Sequence, residues 1–307
     1  MGILDGKTVL IAGVTVDTSI GYRVAEIAQA EGANVVVSNF GRAMSLTARV
    51  LNRLDSPPPL LELDVTDESH LASLADRLGE HFDRLDGVVH SIAFANPETA
   101  LGGKFLSTPF SDVGFSVNVS AYSLVSLAIA CKPLFAPSAA IVGLTFDART
   151  SWPIYDWMGV SKAALESTSR YLARYLGPEG VRCNLVTAGP LETIAKKAIP
   201  GSEEFNNIWG KRAPLGWDPK DLTPTAKAVV ALLSDWFPAT TGEVVHVDAR
   251  IDRHDQLEAR DALVVDQPFE HLARLPATLL LHRHDRERGI RHHAVVATAR
   301  SLHGLRH

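Results

Sequence analysis

The chain reads as an α/β protein built on one doubly wound, seven-stranded parallel sheet. Three observations predict this. Short apolar runs bounded by turn residues alternate with helical patterns over residues 1–248, and seven such runs occur. The first, Thr8-Val9-Leu10-Ile11-Ala12, passes through a glycine-containing turn into a helix, the unit that opens a dinucleotide-binding sheet. A later strand-type run, Ala139-Ala140-Ile141-Val142-Gly143-Leu144, leads through a loop into Trp152–Lys162, where a tyrosine and a lysine stand seven residues apart.

After the first strand, the turn Gly13-Val14-Thr15-Val16-Asp17-Thr18-Ser19-Ile20-Gly21 precedes a helix over Tyr22–Ala30. Amides at that helix start, with the helix dipole, suit a pyrophosphate. Gly13, Ser19 and Ile20 are the candidates there, and Ser19 is placed both to cap the helix and to bond a phosphate. The spacing is not G-x-G-x-x-G, so an ordinary βα turn stays open on this stretch alone. The second strand is Asn34-Val35-Val36-Val37-Ser38. An NAD site usually ends this strand with Asp or Glu to hold the adenosine ribose; here Asn39, Phe40, Gly41 and Arg42 follow. Phe40 is a candidate cover for the adenine. Arg42 either meets a 2′-phosphate or is a solvated helix-start residue, so NADH and NADPH both stay open.

Pro57-Pro58-Pro59 ends a helix and leads into a third strand, Leu60–Leu63. Asp64 and Val65 follow. Asp64 either accepts from an adenine amino group or caps the next helix, a place Asp67 or Thr66 fills better. His70–Arg84 reads as one amphipathic helix, and Leu85–His90 as the fourth strand. Ser91, Ile92 and Ala93 are small enough to let a cofactor near the backbone, and His90 reads as a buried structural histidine. Residues 96–110 form a loop by the crevice; Ser111–Pro133 is one long helix that includes Asn118. Beyond the helix bearing Lys162, Val181–Val186 is the sixth strand, broken by Ala188-Gly189-Pro190, and Thr193 lies within reach of a nicotinamide carboxamide or a pyrophosphate. Ile194–Trp209 is apolar but irregular, a candidate lid over the substrate. Leu222–Phe237 is the last helix and Thr241–Asp248 the last strand.

At 307 residues and 46% hydrophobic content the chain can bury a large core. The formal net charge of −5 argues against a nucleic-acid surface. Cys131 and Cys183 sit in apolar runs, which predicts free thiols in a reducing compartment. Met1–Lys7 lacks the apolar core of a signal peptide, and no apolar run reaches the ~18 residues of a membrane span. The expectation is a soluble, cytoplasmic protein with neither nucleic acid nor membrane as partner, and no metal.

The stretch Trp152-Pro153-Ile154-Tyr155-Asp156-Trp157-Met158-Gly159-Val160-Ser161-Lys162 predicts a helix starting near Ile154. Two turns bring Tyr155 and Lys162 to one face. A phenol and an ammonium so aligned can orient a substrate carbonyl and a cofactor hydroxyl together. Either residue alone would more simply be a core tyrosine or a solvated lysine; the spacing, the glycine turn and Phe146 in the preceding loop join them into a site.

With those residues laid out, the chain resembles the short-chain dehydrogenase/reductase superfamily, a Rossmann-type fold. The common Tyr-x-x-x-Lys is absent, because Met158 stands four before Lys162. Tyr155-x6-Lys162 and Gly13-x5-Ser19-x-Gly21 instead resemble the FabI/InhA family of enoyl-acyl-carrier-protein reductases of bacterial type II fatty acid synthesis. The mycobacterial branch is the nearest, with Phe146 nine before Tyr155. The resemblance implies Tyr155, Lys162 and Phe146 as catalytic residues. It implies Gly13, Ser19, Ile20, Phe40, Asp64, Val65, Ser91, Ile92, Ala93, Lys162 and Thr193 around NADH, with NADPH the alternative. Phe146, Tyr155 and Met158 would face an enoyl substrate carried on acyl carrier protein or coenzyme A, and the assembly would be a homotetramer. A 3-ketoacyl or other carbonyl reductase, and an inactive nucleotide-binding paralogue, are the competing readings; Met158 speaks against the first.

Two stretches depart from the family pattern. Thr193–Arg212 is shorter than the mycobacterial substrate loop, which argues against a preference for very long chains. After Asp248 the family's Asp-Gly-Gly is missing, and the last 59 residues hold eight of the twelve histidines, ten arginines and no lysine. This composition break divides the chain into a reductase domain, 1–248, and an atypical extension, 249–307. The extension reads either as out-of-frame or fused sequence or as a natural helical appendage.

Overall fold

The computed structural model describes residues 1–250; the rest of the extension lies outside the described residues, with the histidine pairs His282/His284 and His292/His293, which lack the spacing and the acidic or thiolate partners of a metal site in the sequence. Seven strands, β1 (Thr8–Ala12), β2 (Asn34–Asn39), β3 (Leu60–Glu62), β4 (Leu85–His90), β5 (Phe135–Thr145), β6 (Arg182–Ala188) and β7 (Val244–Val247), form one sheet in the order β3-β2-β1-β4-β5-β6-β7. Every neighbouring pair is parallel. The helices are α1 (Ile20–Ala30), α2 (Ala43–Leu51), α3 (Glu68–Ala72), α4 (Leu74–Gly79), α5 (Phe110–Val117), α6 (Ser123–Cys131), α7 (Asp156–Leu176), α8 (Ile194–Lys197), α9 (Glu203–Arg212) and α10 (Thr223–Leu233). This is the Rossmann-type doubly wound sheet the sequence predicts.

A parallel sheet covered on both faces needs apolar residues at successive positions rather than at alternate ones. β1 meets that demand, with all five residues buried. Because successive side chains point to opposite faces, Leu10 and Ala12 enter one core with Leu124, Leu127 and Leu165 of α6 and α7. Val9 and Ile11 enter the other, with Val24 and Ala28 of α1 and Val229 and Leu233 of α10. A third apolar cluster, containing Trp152, Tyr155, Met158, Phe205 and Trp209, stands apart from both.

Several expectations need correction. His70–Arg84 is not one helix: α3 and α4 meet at Ser73, and Asp67 caps α3 by accepting from the Ser69 and His70 amides at 2.8 and 3.3 Å. The long helix over 111–133 contains a π turn at Asn118–Tyr122. Within it, Ser120 accepts from the Phe94 amide and donates to the Phe94 carbonyl, at 2.9 and 3.0 Å, tying the helix to the loop after β4. The segment predicted to be irregular carries two helices, α8 and α9. The first helix begins two residues early, at Ile20, and α2 ends at Leu51, well before the prolines. The helix bearing Lys162 starts at Asp156, because Ile154 and Asp156 adopt φ of +61° and +42°, a left-handed kink that blocks an earlier start.

The span Phe110–Leu134 is, against expectation, long and apolar enough by composition to cross a membrane. Its hydropathy has a local cause. Val113, Leu124, Leu127, Ala128 and Cys131 are buried within the fold, as expected of a core helix.

Candidate active site

β1 pairs with β2 on one side and β4 on the other, so successive crossovers diverge at its carboxyl end and open a crevice there. Gly13 leaves β1 at φ +97°, and a Cβ on it would stand 2.3 Å from the Ser91 carbonyl oxygen, so only glycine fits where the two strand ends converge. The Ser91 amide donates to the Ala12 carbonyl at 2.9 Å and the Gly13 amide to the Ser38 carbonyl at 2.9 Å. A residue not singled out in the sequence completes this turn. Asn39 is buried at the end of β2, where an acid is usual, and its amide nitrogen donates to the Val14 carbonyl at 2.6 Å and the Thr47 hydroxyl at 3.0 Å.

A cleft of about 490 Å³ opens over this edge. Gly13, Ser19, Ile20, Ser91, Ile92, Ala93, Phe146, Tyr155, Met158, Lys162 and Thr193 all line it. Phe40, Asp64 and Val65 do not. Phe40 is half exposed beyond β2; the Asp64 carboxylate accepts from the Thr66 amide and hydroxyl at 2.9 and 2.7 Å; and Val65 is buried in the core. Arg42 is exposed at the start of α2.

Ser19 has the extended backbone of an N-cap, but its hydroxyl turns back to donate to the Val16 carbonyl at 2.6 Å and caps nothing. The expected cap is thereby corrected. Among the described residues the amides of the first turn of α1 have no side-chain acceptor, and they carry the positive end of the helix dipole into the cleft. That donor set fits the pyrophosphate of a dinucleotide. Thr193 caps α8, its hydroxyl accepting from the Lys196 amide at 3.2 Å.

Lys162 is buried, and its ammonium donates to the Leu144 carbonyl at 2.8 Å. Burial lowers its pKa to about 8, against a smaller opposite pull from Glu166. Tyr155 is the residue before α7, and burial pushes its phenol well above the usual value, so the proton stays on oxygen at neutral pH. His90 is fully buried with Nε2 at 2.7 Å from the Ser123 hydroxyl; burial first, and Lys162 second, hold its pKa down to about 3, so it stays neutral.

Behind the cleft stands an aromatic wall. Phe146 packs against Tyr155, Trp152, Phe205 and Trp209 at ring-centroid separations of 5.2, 5.4, 5.6 and 5.5 Å. Phe146 and Tyr155 were legible in the sequence. Trp152, Phe205 and Trp209 were not, because Trp152 comes from the loop after β5 and Phe205 and Trp209 come from α9, about fifty residues on; the local signals were a tryptophan three before the tyrosine and two aromatics four apart on one helix face.

The sheet and this cleft define a class, the nucleotide-dependent oxidoreductases of the short-chain dehydrogenase/reductase superfamily. Within it, the family model described as enoyl-(acyl carrier protein) reductase matches residues 13–249, and the chain belongs to that family. It is 46% identical over 261 residues to an enoyl-[acyl-carrier-protein] reductase [NADH] of Mycolicibacterium smegmatis, covering 80% of this chain and 96% of the relative. A Mycobacterium avium protein of the same name is 45% identical over 262 residues, with the same coverage. An enoyl-[acyl-carrier-protein] reductase [NADPH] FabI of Staphylococcus aureus is 33% identical over 249 residues, covering 80% and 96%.

Proposed function

We propose that the chain reduces a trans-2-enoyl thioester, carried on acyl carrier protein or coenzyme A, to the saturated thioester with NADH. The observation that carries this reading is the convergence of Tyr155, Lys162 and Phe146 on the cleft that also receives the start of α1. Bound there, the reduced nicotinamide supplies a hydride to the β-carbon. Negative charge would then develop on the thioester oxygen, and the α-carbon would take a proton from solvent water as that charge collapses. Tyr155 donates a hydrogen bond to this oxygen, an interaction stronger in the transition state than in the ground state. Lys162 holds the nicotinamide ribose hydroxyls and adds a favourable field at the oxyanion. Phe146 packs beside the transferring hydride and orients the enoyl chain, with Met158 on the same wall. The α1 amides hold the pyrophosphate, joined by the Ser19 hydroxyl once it turns from the Val16 carbonyl; Ser91, Ile92 and Ala93 let the cofactor approach the backbone, and Thr193 bonds the carboxamide or pyrophosphate. Phe40, Asp64 and Val65, at the carboxyl ends of β2 and β3, serve the adenosine end.

NADH is favoured over NADPH by the names of the two mycobacterial relatives and by Phe40, against which Arg42 counts. Exposed apolar side chains on α5–α7 and the π turn, namely Phe110, Phe115, Tyr122, Ile129, Tyr171 and Tyr175, support self-association; the homotetramer and the cytoplasmic location are carried over from the family resemblance. The reductase is assigned to residues 1–248 and the remainder to an extension of separate origin; an intact mass for the native product ending shortly after Asp248 would remove the natural-appendage alternative.

The deciding experiment follows the absorbance of NADH, and separately NADPH, on addition of a medium-chain trans-2-enoyl thioester. Consumption of one nucleotide supports the reading and fixes the cofactor. Consumption only with a 3-ketoacyl thioester moves the chain to the carbonyl reductases.

The same assay yields a pH prediction. Around Lys162 stand Glu166 on the same helix, neutral His90 at the end of β4 and protonated Tyr155. The cation is present below pH about 8 and is lost above it. kcat/KM, which reports the free enzyme, is therefore expected to fall as pH rises through about 8. A flat profile to pH 9.5 would refute the role of the charge.

A further inference from the structure

Arg250 stands two residues past the last described acid, in the stretch where the family pattern has glycine, and it is almost wholly inside the fold. Its side chain is 2% exposed, and the carboxylates it pairs with, Asp147 and Asp248, are 4% and 1% exposed. One guanidinium nitrogen lies 2.8 Å from Asp147 Oδ2, and Nε lies 3.0 Å from Asp248 Oδ2. The guanidinium carbon is 5.2 Å from the centre of the Trp152 ring and 4.6 Å from that of Trp209. The two indoles are fixed to the same acids, Trp152 Nε1 donating to the Asp147 carbonyl at 2.7 Å and Trp209 Nε1 to the Asp248 carbonyl at 3.1 Å. One planar side chain thus joins the loop after β5, the helix α9 and the segment after β7.

The other side of that assembly is the cleft. Phe146, adjacent to Asp147, packs on both indoles as well as on Tyr155. Phe146 and Tyr155 line the cleft; Trp152 and Trp209 do not. We propose that Arg250 is a positioning residue for the reductase reaction, holding Trp152 and Trp209 as the backing that sets Phe146 and Tyr155 against the enoyl thioester. The assignment rests on the enoyl-reductase reading given above. The guanidinium matters for its shape as well as its charge. A fork can meet two carboxylates and stack on two rings, whereas a lysine ammonium offers one point of charge. Ala249, held at φ +59°, shows the backbone in a left-handed turn that carries Arg250 inward. The nucleotide end of the cleft is held by other bonds, the Gly13 amide to the Ser38 carbonyl, the Ser91 amide to the Ala12 carbonyl and the Ser19 hydroxyl to the Val16 carbonyl.

The test compares the full-length parent with Arg250→Lys and with the double variant Asp147→Asn/Arg250→Met, which avoids stranding an unpaired carboxylate at Asp147. kcat and KM for the enoyl thioester, and NADH affinity from fluorescence titration, are measured for each. A displacement of about 1 Å at a reacting wall costs on the order of a hundredfold. The double variant should therefore lose at least ~10-fold in kcat with NADH affinity within about twofold of the parent. Arg250→Lys should fall between the two in kcat. Parental kcat in the double variant overturns the proposal, and so does a loss of NADH affinity that matches the loss of kcat. If the double variant does not fold, Arg250→Lys decides: lowered kcat with intact NADH binding supports the assignment, and parental kcat overturns it. A parent inactive on enoyl thioesters overturns the reaction reading and this one together; an active parent with indifferent variants overturns this one alone.

Discussion

Tyr155→Phe is expected to lower kcat about 10²–10³-fold, the loss typical of removing one donor from a developing oxyanion, while KM changes little. The substitution is well chosen for this fold. The ring stays and keeps its contacts with Phe146 and Phe205, at 5.2 and 6.2 Å, so the aromatic wall is preserved and only the hydroxyl is lost. Burial holds the phenol protonated through neutral pH, so a donor rather than a phenolate is what disappears. An interaction made mainly in the transition state lowers kcat and kcat/KM together. Steady-state rates with a saturating enoyl thioester check this. Unchanged kcat would mean that another group donates to the oxygen. A rise in KM alone would mean that Tyr155 only binds substrate.

The fold was legible because a covered parallel sheet imposes a strong local pattern. Thr8–Ala12 and Leu85–His90 are bounded in the sequence as they are in the structure, since both faces of each strand are buried and most positions are apolar or small; the buried polar exceptions in β4 are bonded, Asp86 accepting from the Thr8 amide at 2.9 Å and His90 lying 2.7 Å from the Ser123 hydroxyl. Helix starts were less legible, because they depend on backbone geometry that composition does not record. Pro153 signals a helix start, yet the left-handed residues Ile154 and Asp156 postpone it. His70–Arg84 has an unbroken amphipathic pattern, but Ser73 divides it.

In the site, the residues that sequence reasoning found are those on one continuous stretch or at one strand end: Tyr155 and Lys162, Gly13, Ser91. Those it missed act across the chain. Asn39 is separated from Val14 by 25 positions and Ser120 from Phe94 by 26. Arg250 meets Asp147 across 103 positions, and its segment stood out in the sequence only as a change in composition and a missing glycine pair, neither of which points to Asp147. Spacing arguments reach about two helical turns, and these bonds are made by the sheet topology that folds distant loops to one edge.

Lys162→Met tests the other half of the site and separates binding from stability. Met is of similar length and removes the charge without leaving a large void. In the folded protein the lysine pKa falls from 10.5 to about 8, so burying the cation opposes folding fully below pH about 8, and the penalty is relieved as pH rises towards 10.5. Removing the cation at pH 7 lifts that penalty. The Leu144 carbonyl loses a donor, at a cost of roughly 1–3 kcal/mol. The two effects oppose each other, so the melting temperature at pH 7 should change little. Nucleotide binding should not survive. Two charge-assisted hydrogen bonds to the ribose, each worth roughly 1.5–3 kcal/mol, correspond to about two to four orders of magnitude in affinity. Fluorescence titration with NADH, beside a thermal melt of the same sample, reads both quantities. A variant that melts like the parent and has lost NADH places Lys162 on the cofactor. A variant that binds NADH normally removes it from that role, and leaves the buried ammonium at the end of β5 to serve the oxyanion alone.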